Sequence, residues 1–270
     1  MKIVRYQKQE EPRFRWPIRQ KTAESEVQFG WLEGEKIYEL IGDPFGEHSR
    51  GKATADLDAA TLMAPCLPGK IVGLTRNFVD QVRETGHPPP AFPVVFFKPP
   101  SAVIGPGMTI RLPVQSQRVE FGAALGVVIG RPAYQVPPEE ALACVAGYTC
   151  ANDITAQDLI DADGLWARGK GFDTFCPLGP AIAKGLDAAE LLITCKVNGE
   201  TRQMSSTHDM LFSVPKIVAF VSSIMTLLPG DVILTGTPAG AGQLADGDIV
   251  EIEIEGIGTL KNTARRLEAA

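Results

Sequence analysis

From Lys70 onward the chain is a succession of short β-type runs, each ended by glycine or proline, which limits it to folds built from many brief strands. Val94-Val-Phe-Phe-Lys98, Leu125-Gly-Val-Val-Ile-Gly130, Asp231-Val-Ile-Leu-Thr235 and Ile249-Val-Glu-Ile-Glu-Ile-Glu255 read as strands, and the last alternates apolar with acidic residues, giving one wet face. Two segments carry helical signals instead. Residues 137–143 open with Pro-Pro-Glu-Glu, proline and acid where a first turn favours them. Residues 214–227 have the spacing of a longer amphipathic helix, closed by Pro229 and Gly230. Because strands do not alternate with helices and no glycine-rich phosphate loop is present, a Rossmann-type nucleotide domain is excluded. The expected class is α+β, rich in strand.

Residues 1–65 differ in texture and read as a small N-terminal β-rich domain ahead of a main domain over 66–270. It offers a strand at 2–6, a polar stretch, and a hairpin from Val27 to Leu40 that turns at Glu33-Gly34, with 48–53 as a loop. A net charge of -6 with no basic run argues against nucleic acid and anionic membrane surfaces as partners. No stretch nears the roughly 20 apolar residues of a spanning helix, so a cytoplasmic protein is expected. Cys66, Cys144, Cys150, Cys176 and Cys195 are odd in number, lack metal-finger spacing and sit mostly in apolar segments, so they read as free buried thiols.

Five phrases in the main domain carry more. They are Gly73-Leu-Thr-Arg-Asn-Phe-Val-Asp-Gln81, Phe96-Phe-Lys-Pro-Pro-Ser-Ala-Val-Ile-Gly-Pro-Gly107, Gly147-Tyr-Thr-Cys-Ala-Asn-Asp-Ile-Thr-Ala-Gln-Asp158, Arg168-Gly-Lys-Gly-Phe-Asp-Thr-Phe-Cys-Pro-Leu-Gly-Pro180 and Pro229-Gly-Asp-Val-Ile-Leu-Thr-Gly-Thr-Pro-Ala-Gly240. In this order, across residues 66–264, they resemble the fumarylacetoacetate hydrolase superfamily. The resemblance implies a mixed β-roll core, a homodimer, and a small-molecule carbonyl substrate such as a 2-oxo acid or β-dicarbonyl compound. It also implies an enolate stabilised by magnesium or manganese, with a histidine and glutamate on a lid helix moving protons.

Against that pattern, the positions of the family's paired glutamate ligands hold Gly122 and Ala124, leaving Asp153 as the third ligand position. One carboxylate holds a hard cation weakly. Glu120, on the same strand face as Gly122 and Ala124, is a rescue ligand only if a weak site remains. Gln81 stands where the family's histidine belongs and cannot exchange a proton near neutral pH, while Glu84, one turn along, is kept. His87, just before three prolines, reads as a loop residue. Gln157 replaces the arginine expected on a substrate carboxylate. Arg76, Lys98, Thr235 and Thr237 sit in intact phrases as substrate-binding candidates, and Lys170 is the expected pocket cation, close to Asp153.

The leading expectation is therefore an enzyme of this superfamily without a metal cofactor, acting through Lys170, Asp153, Glu84 and Gln81 by proton transfer, dehydration or cyclisation. A conventional magnesium- or manganese-dependent acylpyruvate hydrolase or oxaloacetate decarboxylase or tautomerase, and a non-catalytic subunit, stand as alternatives.

Overall fold

The computed structural model describes residues 1–8 and 27–268; the polar stretch expected between the first strand and the hairpin lies outside them. Strands dominate, as the glycine and proline punctuation predicts. The main sheet runs in the order His48–Asp56, Lys36–Gly42, Gln28–Glu33, Lys2–Lys8, Cys176–Ala183, Val145–Asn152, Ala123–Ile129, Val232–Leu234, Ile71–Thr75, Val94–Lys98. Two short strands, Ala60–Met63 and Val103–Ile104, pair off this path with Lys2–Lys8 and Cys176–Ala183. A second sheet holds Glu200–Ser206, Leu192–Val197, Ile249–Ile254, Gly258–Arg266 and Thr109–Leu112. A third, small sheet joins Thr155–Ala156, Val119–Phe121 and Gly242–Gln243.

The N-terminal strands extend the main sheet, because Lys2 and Ile3 pair with Ala183 and Ile182. Ala123–Ile129 lies in the centre with all seven residues buried, which is why its sequence is continuously apolar rather than alternating. Ile249–Ile254 keeps the expected alternation along an open face.

Two expectations change. Residues 48–53 form part of the strand His48–Asp56, paired antiparallel with Lys36–Gly42. Its polar side chains give no apolar period, and the backbone ladder alone defines it, helped by Tyr6 Oη lying 2.8 Å from Thr54 Oγ1. The long helix stops at Ile224, because Leu227 leaves it to exchange both backbone hydrogen bonds with Ala133 at 2.9 Å.

Five α-helices are present among the described residues: α1, Val79–Thr85; α2, Pro138–Ala141; α3, Gln157–Asp163; α4, Trp166–Lys170; and α5, Val214–Ile224. None is long and apolar enough to cross a membrane. α2 continues into a 3-10 turn at Leu142–Cys144 and thus covers the expected short helix. Helices α3 and α4 follow directly on the strand Val145–Asn152 and the bridge Thr155–Ala156, packing on each other beside the sheet. Gly169 is required where they meet, since a Cβ there would lie 2.4 Å from Ile160 and 2.7 Å from the Ala156 carbonyl.

Candidate active site

Beside the ends of these strands lies a cavity of about 720 Å³, walled by α1, α3, α4, the strand Val119–Phe121 and the loop after Val232–Leu234. Its floor is built around Asp153, which follows the strand Val145–Asn152 and is held by a bond from its N–H to the Gly122 carbonyl at 2.8 Å. Lys170, the last residue of α4, donates to Asp153 Oδ2 at 2.6 Å and to Thr155 Oγ1 at 2.7 Å. Its Nζ lies 4.3 Å from the centre of the Phe96 ring, a cation–π distance. Phe96 can sit there because its partner across the ladder is Gly73, where a Cβ would meet the ring at 2.1 Å.

Lys98 approaches Asp153 from behind. Its Nζ is 2.9 Å from Oδ1, an ion pair without hydrogen-bond alignment, and it donates to the carbonyls of Ile154 at 2.7 Å and Phe175 at 2.8 Å. The Lys98 side chain is fully buried, so it braces the floor and does not line the cavity. Burial alone would raise the Asp153 carboxyl, but Lys170 and Lys98 outweigh it and hold the group below the usual carboxylate range. Burial pushes the Lys170 ammonium down to about 8, opposed by Asp153 and reinforced by Lys98. Two ammonium groups on one carboxylate leave a net positive charge in a poorly solvated floor.

On the opposite wall, Gln81 and Glu84 share a face of α1. The Gln81 Oε1 is buried without a hydrogen-bond partner, and Glu84 accepts from the Gly240 N–H at 3.1 Å. Gln157 lines the cavity but donates to Asp161 Oδ1 at 2.9 Å. Thr237 lines it too, whereas Thr235 is fully buried and stands behind the wall. Arg76 lines it with a backbone φ of 57°, and no ion-pair or hydrogen-bond partner is found for its side chain among the described residues. Thus the structure gathers Arg76, Gln81, Glu84, Asp153, Gln157, Lys170 and Thr237 around one space.

Sequence reasoning passed over other members of the wall. Arg118 pairs with Glu120 at 3.2 Å and Asp161 at 2.6 Å, and the alternation that put Glu120 and Gly122 on one face would have found it. Burial raises the Glu120 carboxyl, with Arg118 pulling the other way. His87, read from the sequence as a loop residue, does lie beyond the end of α1, and it borders the cavity. Phe96, which opens one of the five phrases, is in edge contact with Trp166 at 6.2 Å, and neither ring was singled out as a member of the site. The five cysteines are free and buried. Burial pushes the thiols of Cys66, Cys150, Cys176 and Cys195 up to about 12, which leaves them inert at neutral pH.

The donor set does not fit a hard divalent cation. Both Asp153 oxygens face ammonium groups, Gly122 and Ala124 bring no side-chain oxygen, and Glu120 is engaged by Arg118. No group of three His, Cys, Asp or Glu among the described residues is arranged to hold an ion. A side chain at Gly122 would also press on Thr237 Oγ1, 3.2 Å from its Cβ.

The family model for the fumarylacetoacetate (FAA) hydrolase C-terminal domain matches residues 70–265, and one for the Rv2993c-like N-terminal domain matches 18–65. Protein Rv2993c of Mycobacterium tuberculosis is 46% identical over 250 residues, 89% of this chain and 94% of that protein. A mitochondrial oxaloacetate tautomerase of Homo sapiens is 43% identical over 215 residues, covering 75% of this chain and 68% of its own. Among solved structures, the 5-carboxymethyl-2-hydroxymuconate delta-isomerase of Mycobacterium smegmatis superposes with a TM-score of 0.88 at 38% identity, over 99% of this chain and all of that one.

Proposed function

The chain belongs to the fumarylacetoacetate hydrolase family, and we propose that within it the protein moves a proton through the enol of a 2-oxo acid or β-dicarbonyl compound without a divalent cation. The observation that carries this reading is the Lys98–Asp153–Lys170 cluster. Losing a proton next to a carbonyl puts negative charge on its oxygen, and a fixed cation in a poorly solvated site stabilises that charge strongly. In the reaction proposed, Lys170 donates to the carbonyl oxygen, and Asp153 and Thr155 hold its Nζ in place. Arg76 receives the substrate carboxylate. Glu84 takes the α-proton after releasing the Gly240 N–H, Lys170 passes a proton to the carbonyl oxygen and takes it back on the return step, and the unpartnered Gln81 Oε1 accepts from the enol hydroxyl so formed. Return of the proton to a different carbon completes an isomerisation, release of the enol with the proton on oxygen completes a tautomerisation, and return to the same carbon gives only exchange. Dehydration or ring closure would branch from the same enol. The oxaloacetate tautomerase and muconate isomerase among its relatives are named for interconversions of this kind, which supports the assignment.

The test is exchange of α-protons into deuterated water, followed by NMR on chelator-treated protein with a panel of 2-oxo acids. Exchange that survives chelator and vanishes in Lys170→Met is expected. Exchange that appears only after manganese or magnesium is added would overturn the metal-free reading.

A further inference from the structure

We infer that the cavity selects an aromatic or branched 2-oxo acid carrying a single carboxylate, gripped by Arg76, over a dicarboxylate; this rests on the placement of the reacting carbonyl at Lys170 proposed above. The first support is the distribution of charge. Three permanent or near-permanent cations line the cavity, Arg76, Arg118 and Lys170. Arg118 is already matched by Glu120 at 3.2 Å and by Asp161 at 2.6 Å, and Gln157 donates to the same Asp161 at 2.9 Å. Lys170 is matched by Asp153 and faces the carbonyl oxygen. Arg76 alone has no acidic partner among the described residues. One carboxylate finds a free guanidinium there. A second would find Arg118 already paired with two acids and Lys170 occupied by the reacting carbonyl oxygen.

The backbone at Arg76 supports the same assignment. A left-handed conformation is costly for a residue with a β-carbon and persists where the surroundings impose it. Here they do: the next residue, Asn77, is fully buried, donates to the Thr235 carbonyl at 2.7 Å and accepts from the Phe212 N–H at 2.9 Å. The turn therefore fixes the guanidinium's point of departure into the cavity.

The third support is the apolar surface. Lys170 Nζ lies 4.3 Å from the centre of the Phe96 ring, and Phe96 meets Trp166 edge-on at 6.2 Å. Leu74, Phe121 and Ile160 complete an apolar lining. A substrate whose carbonyl meets Lys170 thus sets its substituent against aromatic rings, where a carboxylate would be desolvated without a partner.

Phenylpyruvate and oxaloacetate serve as probes, with affinity read by calorimetry and turnover read separately as deuterium exchange on the chelator-treated protein. Phenylpyruvate should bind about tenfold tighter or more, one unpaired charge being worth at least that. Arg76→Asn, which suits the left-handed backbone, should weaken phenylpyruvate binding by about a hundredfold, and Arg76→Lys should recover part of it. Oxaloacetate binding as tightly as phenylpyruvate, or indifference to Arg76→Asn, overturns the inference whatever the exchange shows. Tight phenylpyruvate binding without exchange upholds the selection and overturns the proton-transfer reading instead.

Discussion

The Gln203 carboxamide donates to the Thr237 hydroxyl oxygen at 2.9 Å, reaching the cavity wall from a strand of the second sheet. Its other contacts run to the Pro238 carbonyl at 2.7 Å and from the Ala123 N–H at 2.9 Å, so one buried amide ties Thr237 to the strand behind it. An oxygen that receives an N–H must send its own proton elsewhere, and Thr237 is left to donate towards the cavity. Gln203→Leu strands the Ala123 N–H and should cost roughly 1–3 kcal/mol in denaturant unfolding. It should also lower kcat/KM, and that loss should disappear in a Thr237→Val background. Additive effects in the double-mutant cycle would show that Gln203 does not act through the hydroxyl.

Asp153 sits between two buried ammonium groups, so removing the acid and removing one base are unequal changes. Asp153→Asn leaves two uncompensated cations and should destabilise by roughly 3–5 kcal/mol. Lys170→Met leaves Lys98 and Asp153 paired and should cost clearly less, while abolishing exchange. Equal unfolding midpoints for the two variants would contradict the arrangement.

The depressed Lys170 gives a defined dependence on alkali. Its folded value of about 8 lies under the ordinary 10.5, so between these the unfolded chain binds the extra proton and stability rises with pH. The ammonium form is the one that supports the enolate, so kcat/KM should fall above about pH 8 even as the protein becomes more stable. In Lys170→Arg the residual activity should lack that fall. On the acid side Asp153 is held below its usual range, so its contribution is present at neutral pH and disappears as pH drops through the folded value.

Magnesium or manganese titrated calorimetrically into chelator-treated protein should show no saturable binding tighter than about 1 mM, because both Asp153 oxygens already face cations. Binding in the micromolar range would show that Lys98 and Lys170 yield the carboxylate to a metal.

Much of this was legible in residue order. The strand Val94–Lys98 was read to its ends, since a short β-branched and aromatic run with proline on both sides leaves little choice. The meeting of Lys170 with Asp153 followed from intact phrases. Lys98 was harder to place, because whether a lysine lines a pocket or supports it depends on which carbonyls fold over it, here Ile154 and Phe175. Gln203 was invisible for the same reason: its partners Ala123 and Thr237 lie 80 and 34 positions away, and nothing local marks it. Arg118 was overlooked although the two-residue period pointed to it.

The strand Lys2–Lys8 lies inside the main sheet, paired on one edge with Gln28–Glu33 and on the other with Cys176–Ala183 at Lys2 and Ile3 and with Ala60–Met63 from Arg5 to Lys8. During synthesis it leaves the ribosome long before its partner Cys176–Ala183, which follows more than 160 residues later. Such distant pairing slows folding and exposes strand edges in the meantime. Until that strand is made, the N-terminal strands can pair among themselves but leave the edge at Lys2 and Ile3 open, an exposure during folding that the stability of the finished protein would not reveal.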